Sequence, residues 1–167
     1  MKRFLPLLLL AAVPALAAPS AAPKVRAQSF EQLAKPLPLP YVETANADAQ
    51  VAAARARARK TNRKLLIDLG GNWCLDCRLL AGTMELPELR AWVKRHYEVV
   101  TVDVGRFDKN GQIPAHYGIT GRLAGVPAVL IVDPRTDRLL NKGRETALAD
   151  ARSMTPQALA DWLASWV

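Results

Sequence analysis

The chain contains two cysteines, Cys74 and Cys77, which stand three positions apart in the stretch GNWCLDC. This stretch follows the apolar run LLIDLG, whose composition is typical of a buried strand. Two thiols at this spacing have three chemical interpretations: a redox-active dithiol, half of a metal site or a small structural disulfide. Most of what the sequence says about function depends on which interpretation applies.

A structural disulfide and a metal site are the less favoured interpretations. A bridge from Cys74 to Cys77 closes a loop of about four residues, for which chain entropy gives only about 2 kcal/mol of stabilisation. A structural zinc site uses four ligands, and a catalytic one uses three plus water. The two histidines of the chain, His96 and His116, lie in no spaced motif such as HxxxH, so we expect no resident metal.

A redox-active dithiol fits the local pattern best. Residues 75–83 are predicted to be helical, which places Cys74 at the N-terminus of a helix. Free backbone amides and the helix dipole stabilise a thiolate there, which lowers the pKa of the thiol and makes Cys74 the nucleophile. Cys77 lies one turn further along the helix and can resolve the mixed disulfide.

The N-terminus has the pattern of a secretory signal peptide. Lys2 and Arg3 precede the apolar segment 4–16, and Ala15-Leu16-Ala17 supplies a small-x-small cleavage site. We therefore expect residues 1–17 to be a signal peptide and the product to be periplasmic. An uncleaved anchor is the alternative, although roughly 20 apolar residues are needed to span a bilayer. Outside the cytosol, a close cysteine pair usually forms a disulfide.

Length and charge favour a single exported domain. The 167-residue chain has a net charge of +8, which falls to +6 once Lys2 and Arg3 are removed. Much of the excess lies in residues 55–64, a stretch without interleaved aromatic residues. We interpret this stretch as a solvated helix face and expect no nucleic-acid partner. The mature chain of about 150 residues suits one domain, which we expect to be a monomer.

Proline, capping and periodicity signals divide the chain into an arm and a domain. Residues 18–43 are rich in proline and predicted to be an extended arm or linker, and residues 44–167 form the domain. The domain is predicted to contain helices at 46–61, 75–83, 86–95 and 113–117, strands at 64–69, 98–104, 127–132 and near Leu139, and a last helix after Thr155-Pro156. This order predicts an α/β sandwich with a central sheet.

Several features together resemble the thioredoxin superfamily, over roughly residues 48–167. Asp68 stands six positions before the first cysteine in a predicted strand, and Trp73 directly precedes that cysteine. Gly125-Val126-Pro127 opens a later strand, and the segment AHYGIT before it also matches the family pattern. The nearest likeness is to exported bacterial thioredoxin-like proteins with a WCxDC motif. The resemblance implies a thioredoxin-like three-layer α/β/α sandwich with a central mixed sheet.

The resemblance also implies roles for these residues. Asp68 would accept the proton of Cys77 through water, with its pKa raised by burial. Trp73 would lie at the substrate surface beside the dithiol. A cis peptide bond before Pro127 would leave the backbone of Val126 free to pair with an extended substrate. The residues alone leave other interpretations open: an exposed edge carboxylate, an ordinary aromatic side chain and a trans proline.

The chain departs from the family pattern at four places. Leu75-Asp76 replaces the Gly-Pro that thioredoxins carry between the cysteines, and Gly82 lies where they carry a proline. Val99 lies where they have a lysine that pairs with the buried aspartate. Residues 121–124, GRLA, are additional. The proton-relay role of Asp68 therefore lacks its usual partner.

Asp76 suggests a direction for electron flow. Its charge near Cys74 would oppose thiolate formation by on the order of 1 kcal/mol, or roughly 20 mV toward a more reducing couple. We therefore expect a reductase or interchange protein that acts on disulfide-bearing protein substrates and receives electrons from a membrane carrier. It would need no cofactor beyond the Cys74–Cys77 disulfide. A disulfide oxidase or isomerase, and a non-catalytic binding module with a static disulfide, are the alternatives.

Overall fold

The computed structural model describes residues 20–167, so the expected signal peptide lies outside the described part of the chain. Within this range the chain forms α1 (Ala47–Thr61), β1 (Lys64–Gly70), α2 (Leu75–Met84), α3 (Pro87–His96), β2 (Tyr97–Asp103), α4 (Gln112–His116), β3 (Ala128–Asp133), β4 (Arg138–Leu139) and α5 (Pro156–Ala164). Short 3-10 turns lie at Phe30–Gln32 and Ala151–Ser153. No helix of these residues is long and apolar enough to cross a membrane.

The predicted helices and strands are all present, with ends displaced by about one residue, which is ordinary for element boundaries. Asn46 caps α1, because its side chain accepts a hydrogen bond from the Ala49 amide at 3.0 Å. Thr155 caps α5 in the same way through the Ala158 amide at 3.1 Å. The short 3-10 turns carried no sequence signal strong enough to predict them.

The sheet is mixed, with the strand order β2-β1-β3-β4. β1 runs parallel to β2 and antiparallel to β3, and β4 pairs antiparallel with β3. Alternate residues of β1 point to opposite faces: Leu65 and Ile67 pack with Ala54 and Ala58 of α1. Leu66 packs on the other face, among the apolar side chains of α3 and α5. Helices on both faces of a mixed sheet confirm the three-layer α/β/α sandwich.

The proline-rich arm packs against the domain. Leu33 and Leu37 are buried together with Leu79 of α2. A Cβ at Gly82 would lie 3.2 Å from both arm leucines, so the small residue at this point of α2 allows the arm to approach closely. The arm therefore contributes to the core instead of extending freely into solvent.

Removing an arm leucine should destabilise the whole domain. Leu33 is 3% exposed, so Leu33→Ala is expected to lower the free energy of unfolding by about 2–5 kcal/mol, measured by urea denaturation. Leu39→Ala is the matched control, because Leu39 is 63% exposed and its loss should cost less than about 0.5 kcal/mol. Equally small effects for both variants would contradict the packing described here.

Candidate redox site

Cys74 and Cys77 form a disulfide at the start of α2, with Cα atoms 5.3 Å apart. Cys74 is the N-cap residue, and its Sγ accepts a hydrogen bond from the Cys77 amide at 3.1 Å. Cys74 is 6% exposed and Cys77 is fully buried. The predicted helix start at the motif is thus confirmed. A thiolate at Cys74 would face free backbone amides and the positive end of the helix dipole.

The loop before β3 lies directly against the first cysteine. The peptide bond between Val126 and Pro127 is cis, as expected, and the carbonyl oxygen of Val126 lies 3.4 Å from Cys74 Sγ. Both residues of the loop are buried. The structure therefore brings Val126 and Pro127 next to the nucleophile, whereas their part in substrate binding stays a prediction.

Trp73 lies at the surface beside the disulfide, with 42% of its area exposed. Its indole N–H donates to the Gly105 carbonyl at 2.7 Å, and the Arg106 guanidinium lies 4.4 Å above the ring. Phe107 packs against Trp73 with ring centroids 5.9 Å apart, and Arg122 lies 4.2 Å from the Phe107 centroid. The two guanidinium groups and the two aromatic rings thus form one cation–π cluster at the rim of the site. Sequence reasoning missed it, although Arg122 belongs to the additional GRLA segment.

Asp68 is buried in the centre of the sheet, between β2 and β3. Its side chain is 0% exposed, which makes the edge-strand interpretation wrong. Burial raises the pKa of Asp68 to about 7, against the opposing effect of a hydrogen bond from Tyr41. The prediction of a raised pKa is thereby confirmed. A carboxyl group that titrates near neutral pH can accept and return a proton under physiological conditions.

Tyr41 of the arm supplies a hydrogen-bond partner for the buried Asp68. Its hydroxyl donates to Asp68 Oδ1 at 2.9 Å. Thr101 is the neighbour of Asp68 on β2, and Val99 pairs with Leu66 further along the strand. The sequence did not predict a role for Tyr41. The feature that could have indicated one is the aromatic residue at the end of the proline-rich run KPLPLPY.

The surroundings of Asp76 include a charged partner, Arg152, that the sequence did not predict. Its side chain is not a solvated charge, because it is 5% exposed and accepts hydrogen bonds from Arg152. The Arg152 amide lies 2.9 Å from Oδ1, and Nε lies 3.0 and 3.1 Å from the two carboxylate oxygens. Burial alone would raise the pKa of Asp76, but the bonds from Arg152 outweigh it and hold that pKa below its ordinary value. The paired guanidinium carries a charge opposite to that of Asp76 and so opposes the field that Asp76 was expected to exert on Cys74.

The two histidines lie outside the site. His116 Nε2 is 2.8 Å from Asp137 Oδ2, and His96 Nε2 is 3.2 Å from the Ser20 hydroxyl. Among residues 20–167 there is no group of three His, Cys, Asp or Glu side chains that could hold a metal ion.

The buried Asp68 should make stability depend on pH. Its folded-state pKa of about 7 lies above the ordinary 3.8, so the folded protein holds a proton that the unfolded chain has lost between these values. The free energy of unfolding of the oxidised protein should therefore fall by up to about 4 kcal/mol between pH 4 and pH 7. Asp68→Asn is expected to remove this slope in urea titrations, whereas Asp161→Asn at an exposed site should retain it. A slope unchanged by Asp68→Asn would show that Asp68 is not the source of the pH dependence.

Comparison with known proteins places this site in a family. Residues 46–134 match the family model described as Thioredoxin-like. A disulphide isomerase from Xylella fastidiosa Temecula1 is 37% identical, with a TM-score of 0.70 over 77% of this chain and 97% of that one.

Two further solved structures are more distant. The C-terminal domain of DsbD from Neisseria meningitidis, in the oxidised form, has 22% identity and a TM-score of 0.41 over 57% of this chain and 83% of its own. A Pseudomonas aeruginosa protein of unknown function has 19% identity and a TM-score of 0.37 over 84% and 89%. No curated protein matches the chain. Because the family model spans more than half of the sequence, and the isomerase is similar over nearly its whole length, the chain belongs to the thioredoxin-like family.

Proposed function

We propose that the protein is an exported thiol-disulfide oxidoreductase that reduces or exchanges disulfides in protein substrates through Cys74 and Cys77. The observation that carries this proposal is the disulfide at the N-terminus of α2, with Cys74 against the cis-proline loop and Cys77 buried behind it. The Xylella relative supports the same class of chemistry through its description as a disulphide isomerase.

The reaction is an exchange in which two electrons pass to the substrate. The thiolate of Cys74 attacks one sulfur of a substrate disulfide, forms a mixed disulfide and releases the other sulfur as a thiolate, which takes a proton from water. Cys77 then gives its proton to Asp68 and attacks the Cys74 sulfur. The second substrate sulfur leaves and is protonated, and the Cys74–Cys77 disulfide is formed again.

The surroundings of Cys74 suit an extended polypeptide. Trp73 and Leu75 flank it with side chains that are 42% and 43% exposed. The Val126 carbonyl lies within 3.4 Å of the Cys74 sulfur, so a peptide paired with the backbone of Val126 would pass beside the nucleophile. We assign Trp73, Val126 and Pro127 to substrate binding on this basis.

Export and electron supply complete the proposal. Residues 1–17 would direct the chain to the periplasm, where the oxidised form must be reduced again for a further turnover. A membrane protein that carries electrons outward is the partner of suitable chemistry. No organic cofactor is required, because the two sulfurs hold both electrons.

Isomerisation is the second candidate, and the similarity to the Xylella disulphide isomerase favours it. Net reduction needs Cys77 to release the substrate, whereas isomerisation can end when a second substrate thiol displaces Cys74. The two activities therefore differ in their need for Cys77.

The reductase assignment predicts catalysed insulin reduction with dithiothreitol as electron source. Cys74→Ser should abolish the catalysed rate, because the attacking sulfur is lost. Cys77→Ser should lose turnover and accumulate mixed disulfides, yet retain repair of scrambled ribonuclease if isomerisation is the main activity.

A wild-type protein inactive in both assays under any electron supply would favour a binding module. A potential near −120 mV, that of a strong periplasmic oxidant, would also contradict the reductase.

Arg152 is expected to set the charge felt by Cys74. Arg152→Ala removes the cationic partner of Asp76 and keeps only the backbone amide of residue 152 as a donor, so the pKa of the Cys74 thiol in the reduced protein should rise. The reduction potential should fall by roughly 20 mV. Iodoacetamide alkylation against pH and glutathione titration measure the two quantities. The double variant Asp76→Asn/Arg152→Ala should return both values toward wild type, and an unchanged or lower thiol pKa in Arg152→Ala would contradict the compensation.

A further inference from the structure

Tyr41 enters the buried interior from the proline-rich arm, outside the segment that matches the family model. Its side chain is 2% exposed, and its hydroxyl donates to Asp68 Oδ1 at 2.9 Å. Burial and the neighbouring Asp68 carboxylate raise the pKa of Tyr41, so the phenol keeps its proton and remains a donor at physiological pH.

The arm is fastened to the residues that flank the cysteines. The Asn72 side chain accepts from the Tyr41 amide at 3.1 Å and donates to the Tyr41 carbonyl at 2.8 Å. Arg78, next to Cys77, donates to the carbonyls of Pro38 and Leu37 at 3.2 and 3.1 Å. These contacts fix the tyrosine relative to the redox motif itself.

Tyr41 and Cys77 both approach Gly70 at the end of β1. A Cβ placed on Gly70 would lie 2.7 Å from Cζ of the tyrosine ring and 2.8 Å from Cys77 Sγ. The absence of a side chain at Gly70 therefore lets both groups approach the same point. Within residues 20–167, the second oxygen of the Asp68 carboxyl, Oδ2, is buried without a hydrogen-bond partner.

We propose that Tyr41 is a positioning residue for proton transfer: its hydroxyl holds Asp68 Oδ1 and so presents Oδ2 as the oxygen that takes the proton of Cys77. This inference rests on the proposed function. Tyr41 touches neither the substrate nor the reacting sulfurs in this role and acts through Asp68. The arm is thereby a part of the redox site as well as of the core.

The groups that face Asp68 define the expected pH effect. The arm supplies Tyr41, which donates to Asp68 Oδ1, and Cys77 of α2 lies beside Gly70, two residues further along β1. β3 places uncharged Val129 opposite Asp68, whereas β2 ends in the nearly buried Asp103, whose carboxylate lies 3.5 Å from Lys109. The hydrogen bond from Tyr41 favours the ionised carboxylate, so its loss should raise the pKa of Asp68 further.

The test compares Tyr41→Phe with Tyr97→Phe. Tyr97 is also buried, at 1% exposure, and its hydroxyl donates to the Leu163 carbonyl at 2.7 Å, so each variant loses one buried hydrogen bond. The probe is the mixed disulfide of Cys74 with thionitrobenzoate, from which attack by Cys77 releases a coloured thiolate. The pH at half-maximal release should rise by on the order of one unit in Tyr41→Phe and stay at the wild-type value in Tyr97→Phe.

A second readout does not depend on reductase activity. The carboxyl carbon of Asp68, followed by NMR in the oxidised protein, should titrate at a higher pH in Tyr41→Phe than in wild type and Tyr97→Phe. In an Asp68→Asn background, Tyr41→Phe should leave the release rate unchanged.

Equal midpoints for wild type and Tyr41→Phe in either titration would overturn the inference, even where insulin reduction by the wild type upholds the proposed function. Inactivity of the wild type toward insulin, with a shifted Asp68 titration, would instead remove the function and leave the Tyr41–Asp68 coupling standing.

Discussion

Burial of the Asp68 carboxyl group is the constraint on which the rest of the site depends. An ionised carboxylate in the centre of a sheet is costly unless several donors compensate it. The described residues supply one hydroxyl at Oδ1 and leave Oδ2 without a partner, so the group retains its proton up to about pH 7. A proton acceptor that titrates at this pH could serve the buried Cys77, whose sulfur lies beside Gly70 at the end of the same strand. The fold thus buries a carboxyl group, at a cost to stability, where it could take part in proton transfer.

The proline-rich arm solves a second physical problem. A segment that crosses a domain surface must satisfy its backbone donors and acceptors, and proline removes one donor at each position. Side chains of the domain donate to several carbonyls of the arm: Arg78 reaches Pro38, and Thr101 donates to Pro40 at 2.8 Å. An extended segment with few donors can therefore dock without pairing as a strand, and it delivers Tyr41 to the interior. Fewer accessible unfolded conformations also reduce the entropy lost on docking.

The sequence predicts the parts of this structure that depend on local pattern. Helix periodicity, caps and apolar runs locate the elements, and the family resemblance places Asp68, Pro127 and the cysteines correctly. The missed contacts join distant parts of the chain: Arg152 reaches Asp76 across 76 positions, and Tyr41 reaches Asp68 across 27. Local spacing shows that a charge stands near a sulfur, but the effect of that charge depends on partners that folding alone brings together. For this reason the expectation for Asp76 left out its ion pair with Arg152.

The two carboxyl groups beside the cysteines illustrate how environment divides chemical roles. Both are nearly excluded from water, at 0% exposure for Asp68 and 5% for Asp76. Asp76 meets a cation, which keeps it ionised and makes it a fixed charge within an ion pair. Asp68 meets a neutral donor, which leaves its proton exchangeable near pH 7. Paired titratable groups whose surroundings separate their pKa values in this way are typical of sites that hold one charge constant and move another. The partner that each carboxyl group has in the folded chain is therefore the reason for proposing Asp68, rather than Asp76, as the group that transfers the proton.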